Sequence, residues 1–152
     1  MLAPSPIRGW KKMSAAMFAA LFFTVALLVT TAYFIMGSIP LLILRHDTPL
    51  DARFVRAFFN VYYVAAFITA TATAISYAFA SRLGVAAGAA ALALIAVVLR
   101  NRIIPKMDAL GAQIQVDYST AIPGFRRTHV TAIVINVVQL VVIVWSLIAQ
   151  GR

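Results

Sequence analysis

The chain contains no cysteine and no glutamate, and only 11% of its residues are charged. A typical soluble domain carries about 25%. Without cysteine there are no disulfides, no thiolate metal ligands and no cysteine nucleophile. Without glutamate, Asp47, Asp51, Asp108 and Asp117 are the only side-chain carboxylates that could complete a metal site. His46 and His129 are the only histidines, and their spacing fits no metal or haem motif. No metal and no cofactor is therefore expected. There is no phosphate loop, serine triad, GxSxG or HExxH. The long apolar runs hold no Asp, Glu, Lys or Arg, which argues against a proton-coupled pump or a transporter of charged substrates.

What is present is apolar. Hydrophobic residues make up 63% of the 152, and mean hydropathy is +0.95. A water-soluble protein of this size could not bury so much apolar surface, so the chain reads as an integral membrane protein of one domain. A net charge of +9 would point to nucleic acid in a soluble protein. Here the cations cluster at the ends of apolar runs, as expected of membrane flanks that contact lipid phosphates. No basic face with interleaved aromatics lies outside those runs, so nucleic acid is not an expected partner.

Taken in order, the chain opens with a polar arm that ends in Trp10, Lys11 and Lys12, an interfacial anchor. The following apolar run is longer than a signal-peptide core and is not closed by a small-x-small site, so it reads as an uncleaved first membrane helix. The pattern predicts four helices, at about residues 14–44, 52–80, 83–99 and 125–149. Gly37, Ser38 and Pro40 predict a break or a terminus in the first. Asp51 is the expected N-cap of the second. Phe58, Phe59, Tyr62 and Tyr63 suit the headgroup level, while Ala70, Ala74 and Ala78 form a small-residue ridge. Ser81 and Arg82 leave only a tight turn, which forces antiparallel neighbours. Gly84 and Gly88 form a GxxxG in an alanine-rich third helix, a pattern for close backbone approach. Residues 107–124 read as the longest loop, with a short interfacial helix inside it. The fold class is all-α, an antiparallel four-helix membrane bundle with both termini on one side.

Orientation rests on competing counts. The side with the termini carries Arg8, Lys11, Lys12, Arg82 and Arg152. The other carries Arg45, Arg53, Arg56, Arg100, Arg102, Lys106, Arg126 and Arg127. The positive-inside rule places the richer side in the cytoplasm, while Lys11 and Lys12 before the first helix argue the reverse.

The fourth apolar stretch carries the most informative polar residues. His129, Asn136 and Gln139 fall within roughly 80° of one helix face, with Ala132 among them and Thr128 at the edge. Thr131 points away and should bond back to its own helix. Hydrocarbon has no use for such a stripe, so it should form the inner seam of the bundle. With His46, Asn60 and Tyr63, these residues make the candidate polar cluster. Its simplest role is interhelical bonding, with His129 meeting Asn60 or Tyr63 across the bundle.

The run His129-x-x-Ala132-x-x-x-Asn136 resembles the LH-x-x-S-x-x-x-N signature of domain-of-unknown-function family 4149, whose members look like transmembrane protein 205. Gly37-Ser38-Ile39-Pro40 is similar to the end of that family's first helix. Phe59-Asn60-Val61-Tyr62-Tyr63 resembles its F-x-x-Y-[YF] start of helix two, and Ile103-Ile104-Pro105 its I-x-P segment. The departures are Thr128, where the family has an apolar residue, and Ala132, where it has serine. The resemblance covers nearly the whole chain and implies a four-helix fold rather than an activity. A weaker resemblance links the chain to anthrone-oxygenase-like four-helix proteins, but Thr131 and Ala132 stand where their arginine is expected.

Ample packing surface and sparse chemistry make a small accessory or structural membrane subunit the expected function. It would associate with itself or with a larger membrane complex. The alternatives are a passage for small neutral solutes and a cofactor-independent membrane enzyme with His129 as general base. Alanine-rich and arginine-rich composition fits a multi-pass protein of a bacterial cytoplasmic membrane.

Overall fold

A computed structural model describes residues 14–43, 49–114 and 116–151. His46, together with Trp10, Lys11, Lys12, Arg45 and Asp47, lies outside the described residues. Four helices follow in order: α1 (Ala15–Leu41), α2 (Pro49–Phe79), α3 (Leu83–Gln113) and α4 (Tyr118–Gly151). All four are long and apolar enough to cross a bilayer. Each packs against its chain neighbours, and α4 also packs against α1, so the helices stand at the corners of a square. The chain is thus a multi-pass, all-α membrane bundle.

The seams that face the axis follow coiled-coil spacing, alternating between three and four residues. In α1 the buried residues are Ala20, Thr24, Leu27, Thr31, Phe34 and Ser38. Thr24, Thr31 and Ser38 recur every seventh residue. The two threonines donate to the carbonyls of Ala20 and Leu27 at 2.7 and 2.9 Å, which satisfies their hydroxyls inside their own helix. In α3 the seam is Ala86, Ala89, Ala93 and Ala96, and then Ile103 and Met107. These small side chains let α2 lie close, and α2–α3 is the most extensive helix pair.

The turn between them is a Schellman motif. Arg82 N–H donates to Tyr77 C=O at 2.9 Å and Ser81 N–H to Ala78 C=O at 3.0 Å. Ser81 takes the left-handed position usually held by glycine, at φ 59°.

Several expectations need correction. α3 does not end near residue 99, nor does α4 begin near 125. α3 continues to Gln113 through Pro105, and α4 starts at Tyr118 with Pro123 inside it. The expected long loop is mostly helix. Its charges mark where the chain leaves hydrocarbon, not where the helix stops. Beyond Arg100 the α3 extension rises about 20 Å. Both prolines lie on exposed faces near helix ends, where a lost backbone bond can be replaced by water.

α2 starts at Pro49, a residue suited to the first helical position. Asp51 therefore sits in the first turn rather than at the cap. α1 remains helical to Leu41, so Pro40 marks its last turn. Of the expected alanine ridge, Ala70 is buried but Ala78 is exposed. The buried stripe of α2 runs instead through Phe59, Tyr62, Ala66, Ala70, Thr73 and Tyr77.

The Arg-rich end is tied by side chains. Arg56 and Asp108 form an ion pair, in which Nη2 donates to Oδ2 at 3.1 Å and Nε lies 2.9 Å from Oδ1. Arg126 Nη2 reaches the Leu42 carbonyl at 3.5 Å, where α1 leaves its last carbonyls open. Asp117 caps α4. Its carboxylate accepts from Ser119 Oγ at 2.8 Å and from the Thr120 hydroxyl, and these bonds hold its carboxyl below the usual range.

Two outcomes test this packing. A Cβ on Gly37 would lie 2.6 Å from Cζ of Phe58, whereas one on Gly84 would meet nothing within 4 Å. Gly37→Ala should lower unfolding stability in detergent by about 1–2 kcal/mol as the Phe58 ring is displaced. Gly84→Ala should be neutral or stabilising, through helix propensity. The second concerns pH. The folded-state pKa of Asp117 is depressed, so its capping contribution is present above the unfolded pKa and lost as pH falls through the folded value. Amide exchange at the start of α4 should therefore accelerate in that acid window, and Asp117→Asn, which keeps an acceptor, should flatten the dependence.

Candidate functional site

The seam of α4 delivers its polar residues to the axis. His129, Ala132 and Asn136 are each 0% exposed, and Thr128 is 3%. The stripe therefore faces inward, as its spacing requires. Thr131 bonds to the Arg127 carbonyl at 2.8 Å, back onto its own helix.

The centre of the site is a hydrogen bond between diagonal helices. Tyr62 Oη of α2 donates to Asn136 Oδ1 of α4 at 2.6 Å. Asn136 Nδ2 donates in turn to the Ala132 carbonyl at 2.7 Å. These two bonds fix the amide orientation, since a flipped amide would present nitrogen to the donor. Two diagonal helices thus meet in one polar knot, while Thr31 of α1 spends its proton on its own helix.

Aromatic rings enclose it. Phe34 stacks on Tyr62 with centroids 3.9 Å apart and meets Phe59 edge-on at 4.8 Å. His129 meets the Phe59 ring edge-on at 5.0 Å. Phe59 and Tyr63 are fully buried and Tyr62 nearly so. These rings, beside the Arg-rich end, face the interior of the bundle.

The structure divides the remaining candidates. Tyr63 is buried beside Phe59 and Tyr62, but its hydroxyl makes no hydrogen bond among the described residues. Asn60 turns to α3, where its Oδ1 accepts from Arg100 Nε at 3.0 Å. Gln139 is half-buried one turn beyond Asn136 and lines a separate cleft between α3 and α4. Tyr62 and Thr31 are the residues that sequence reasoning missed. The signal was available in spacing: Phe59, Tyr62 and Ala66 continue the small-and-aromatic seam of α2, and Thr31 lies midway between Thr24 and Ser38.

The knot is suited to fixing helix register. Among the described residues no group of three His, Cys, Asp or Glu side chains could hold a metal ion. No family model, curated protein or solved structure matches the chain.

A double-mutant cycle tests the knot. Tyr62→Phe and Asn136→Leu should each destabilise the bundle in detergent unfolding. Their coupling should be near the average of about 0.6 kcal/mol for interhelical bonds in membranes, and no more than about 1.7 kcal/mol. Strictly additive effects would show that the bond contributes nothing.

Proposed function

We propose that the chain is an accessory or structural subunit of a bacterial cytoplasmic membrane, associating with itself or with a larger membrane complex. The observation that carries this reading is the uneven use of α4. Its most apolar stretch is 22% buried, against 33% in α2. Its outer face presents Val134, Val138, Val141, Val142 and Trp145 to the outside. Valine has few rotamers to lose, so a valine face gains from a protein neighbour at little entropic cost.

The alternatives draw less support. Phe34, Phe59, Tyr62, His129 and Asn136 fill the axis, each at most 5% exposed, which weighs against a solute passage. The fully buried His129, lying against Phe59, is poorly placed to meet a substrate. The resemblance to domain-of-unknown-function family 4149 belongs to the same proposal and rests on His129 and Asn136 sharing the inner face of α4. The Arg-rich end, with its helical extension, is assigned to the cytoplasm by the positive-inside rule.

The absence of cysteine makes the test clean. Val141→Cys should give intermolecular adducts with a bifunctional thiol reagent in native membranes. Phe18→Cys, exposed on α1, should not. The species extracted in mild detergent should exceed a monomer in mass. A monomer with no adduct at either position would overturn the reading.

A further inference from the structure

The cleft between α3 and α4 is walled almost wholly by apolar side chains. A Cβ on Gly84 or Gly88 would meet nothing within 4 Å, so the close approach expected of the GxxxG is not made. A groove at the Arg-rich end has a different chemistry. It lies between the first turns of α2 and the extension of α3 and holds about 480 Å³. Arg53 and Arg56 line it from α2, and Asp108 from α3. Ala52 is buried, and a Cβ on Gly111 would lie 3.2 Å from the Cβ of Ala52, so the two helices touch at the base.

The two arginines are held differently. Arg56 is oriented by Asp108, to which its Nη2 donates at 3.1 Å, and its Nη1 protons have no acceptor among the described residues. Arg53 is exposed and has no hydrogen bond or ion pair among the described residues. The two stand three residues apart, on one side of α2. Two arginines against one aspartate leave the lining with one positive charge. Asp51, in the same turn as Arg53, does not line the groove. Guanidinium groups bind phosphate oxygens through paired N–H donors. A group with a single negative charge balances the groove, whereas a zwitterionic headgroup leaves its charge uncompensated.

Depth selects the source of that phosphate. Arg56 is the last charge of α2 before the uncharged stretch 57–79, and Arg53 lies about 4.5 Å further out. Both fall within a headgroup layer about 5–8 Å deep on each side of the hydrocarbon. The rest of the lining includes Ala52, Met107 and Ala112, an apolar surface suited to the glycerol and ester region beside a lipid phosphate.

We infer that this groove binds the phosphodiester of one anionic phospholipid, held by Arg53 and by the Nη1 edge of Arg56. The site goes beyond the general attraction of basic flanks to a membrane, because it names one groove and one lipid per chain. It does not depend on the accessory reading.

The full-length chain in detergent micelles would be titrated with phosphatidylglycerol or with phosphatidylcholine of the same acyl chains, and the bound lipid counted by native mass spectrometry. One phosphatidylglycerol should be retained per chain, in preference to phosphatidylcholine. Arg53→Gln should weaken phosphatidylglycerol about fivefold, the loss of one arginine's attraction at a membrane surface, and leave phosphatidylcholine unchanged. Ala112→Leu, which fills the groove from an exposed position without altering charge, should weaken it too. Arg102→Gln removes an exposed arginine of the same end that does not line the groove, and should change nothing. Circular dichroism would check folding, and Ala112→Leu carries the test if Arg53→Gln does not fold. Equal retention of the two lipids would overturn the inference. So would an equal loss in Arg102→Gln and Arg53→Gln, which would assign the preference to the field of the whole end. Glycerophosphoglycerol, the same diester without acyl chains, should bind far more weakly; equal binding would assign the groove to a soluble phosphate and overturn the lipid. A chain that retains neither lipid would leave the groove to an acidic protein segment, which also overturns it.

Discussion

The hydrogen bond from Tyr62 to Asn136 constrains the bundle more than its energy implies. It joins α2 and α4, which stand at opposite corners and share no backbone contact. In hydrocarbon such a bond contributes only about 0.6 kcal/mol on average. Its importance lies in the alternative. Any slip of α4 along or around its axis strands an amide and a phenol where no water can replace the partner. The second amide bond, to the Ala132 carbonyl, removes the remaining rotational freedom of Asn136. The aromatic packing of Phe34, Phe59 and His129 then has one register to fit, and the seams of all four helices follow from it.

The two ends of the bundle are built differently. At the Arg-rich end, charged and amide groups tie helices together in pairs: Arg56 with Asp108, Arg100 with Asn60, and Arg126 with the end of α1. The ion pair is solvent-exposed and adds little by itself. Large aromatics fill the interior beside these ties. At the other end the interior is Tyr77 set among Ala20, Ala86 and Ala89, and a 3.4 Å contact between the Tyr77 and Thr24 hydroxyls ties α2 to α1. The alanine seam brings α3 towards α2. Nothing of similar reach brings α3 towards α4, and the cleft opens there.

Much of this was legible in the sequence because hydropathy reports solvent. The uncharged stretches at residues 57–79, 83–99 and 128–148 mark the hydrocarbon-spanning parts of α2, α3 and α4. The inward direction of His129 and Asn136 follows from helical period alone. Helix ends were not legible, because Arg100, Lys106 and Pro105 carry the signature of an exit from the membrane, and a helix can cross that boundary intact. Tyr62 was hidden by the general preference of tyrosine for interfaces. Its true position depends on the face of α2 and on a partner far away in sequence. The GxxxG of α3 shows the limit of a local motif. Glycines permit close approach, but only a neighbour with matching shape makes it happen.

A buried polar axis restricts how the molecule can act. His129 and Asn136 are fully buried, so neither meets water or lipid at the surface of the bundle. A protein partner must meet it on an outer face, and the least buried helix is α4. Val138, Val142 and Trp145 belong to both surfaces, since they are exposed on α4 and line the cleft. The α4 helix is locked in register at its middle by Asn136, while its outer valine face carries no such constraint.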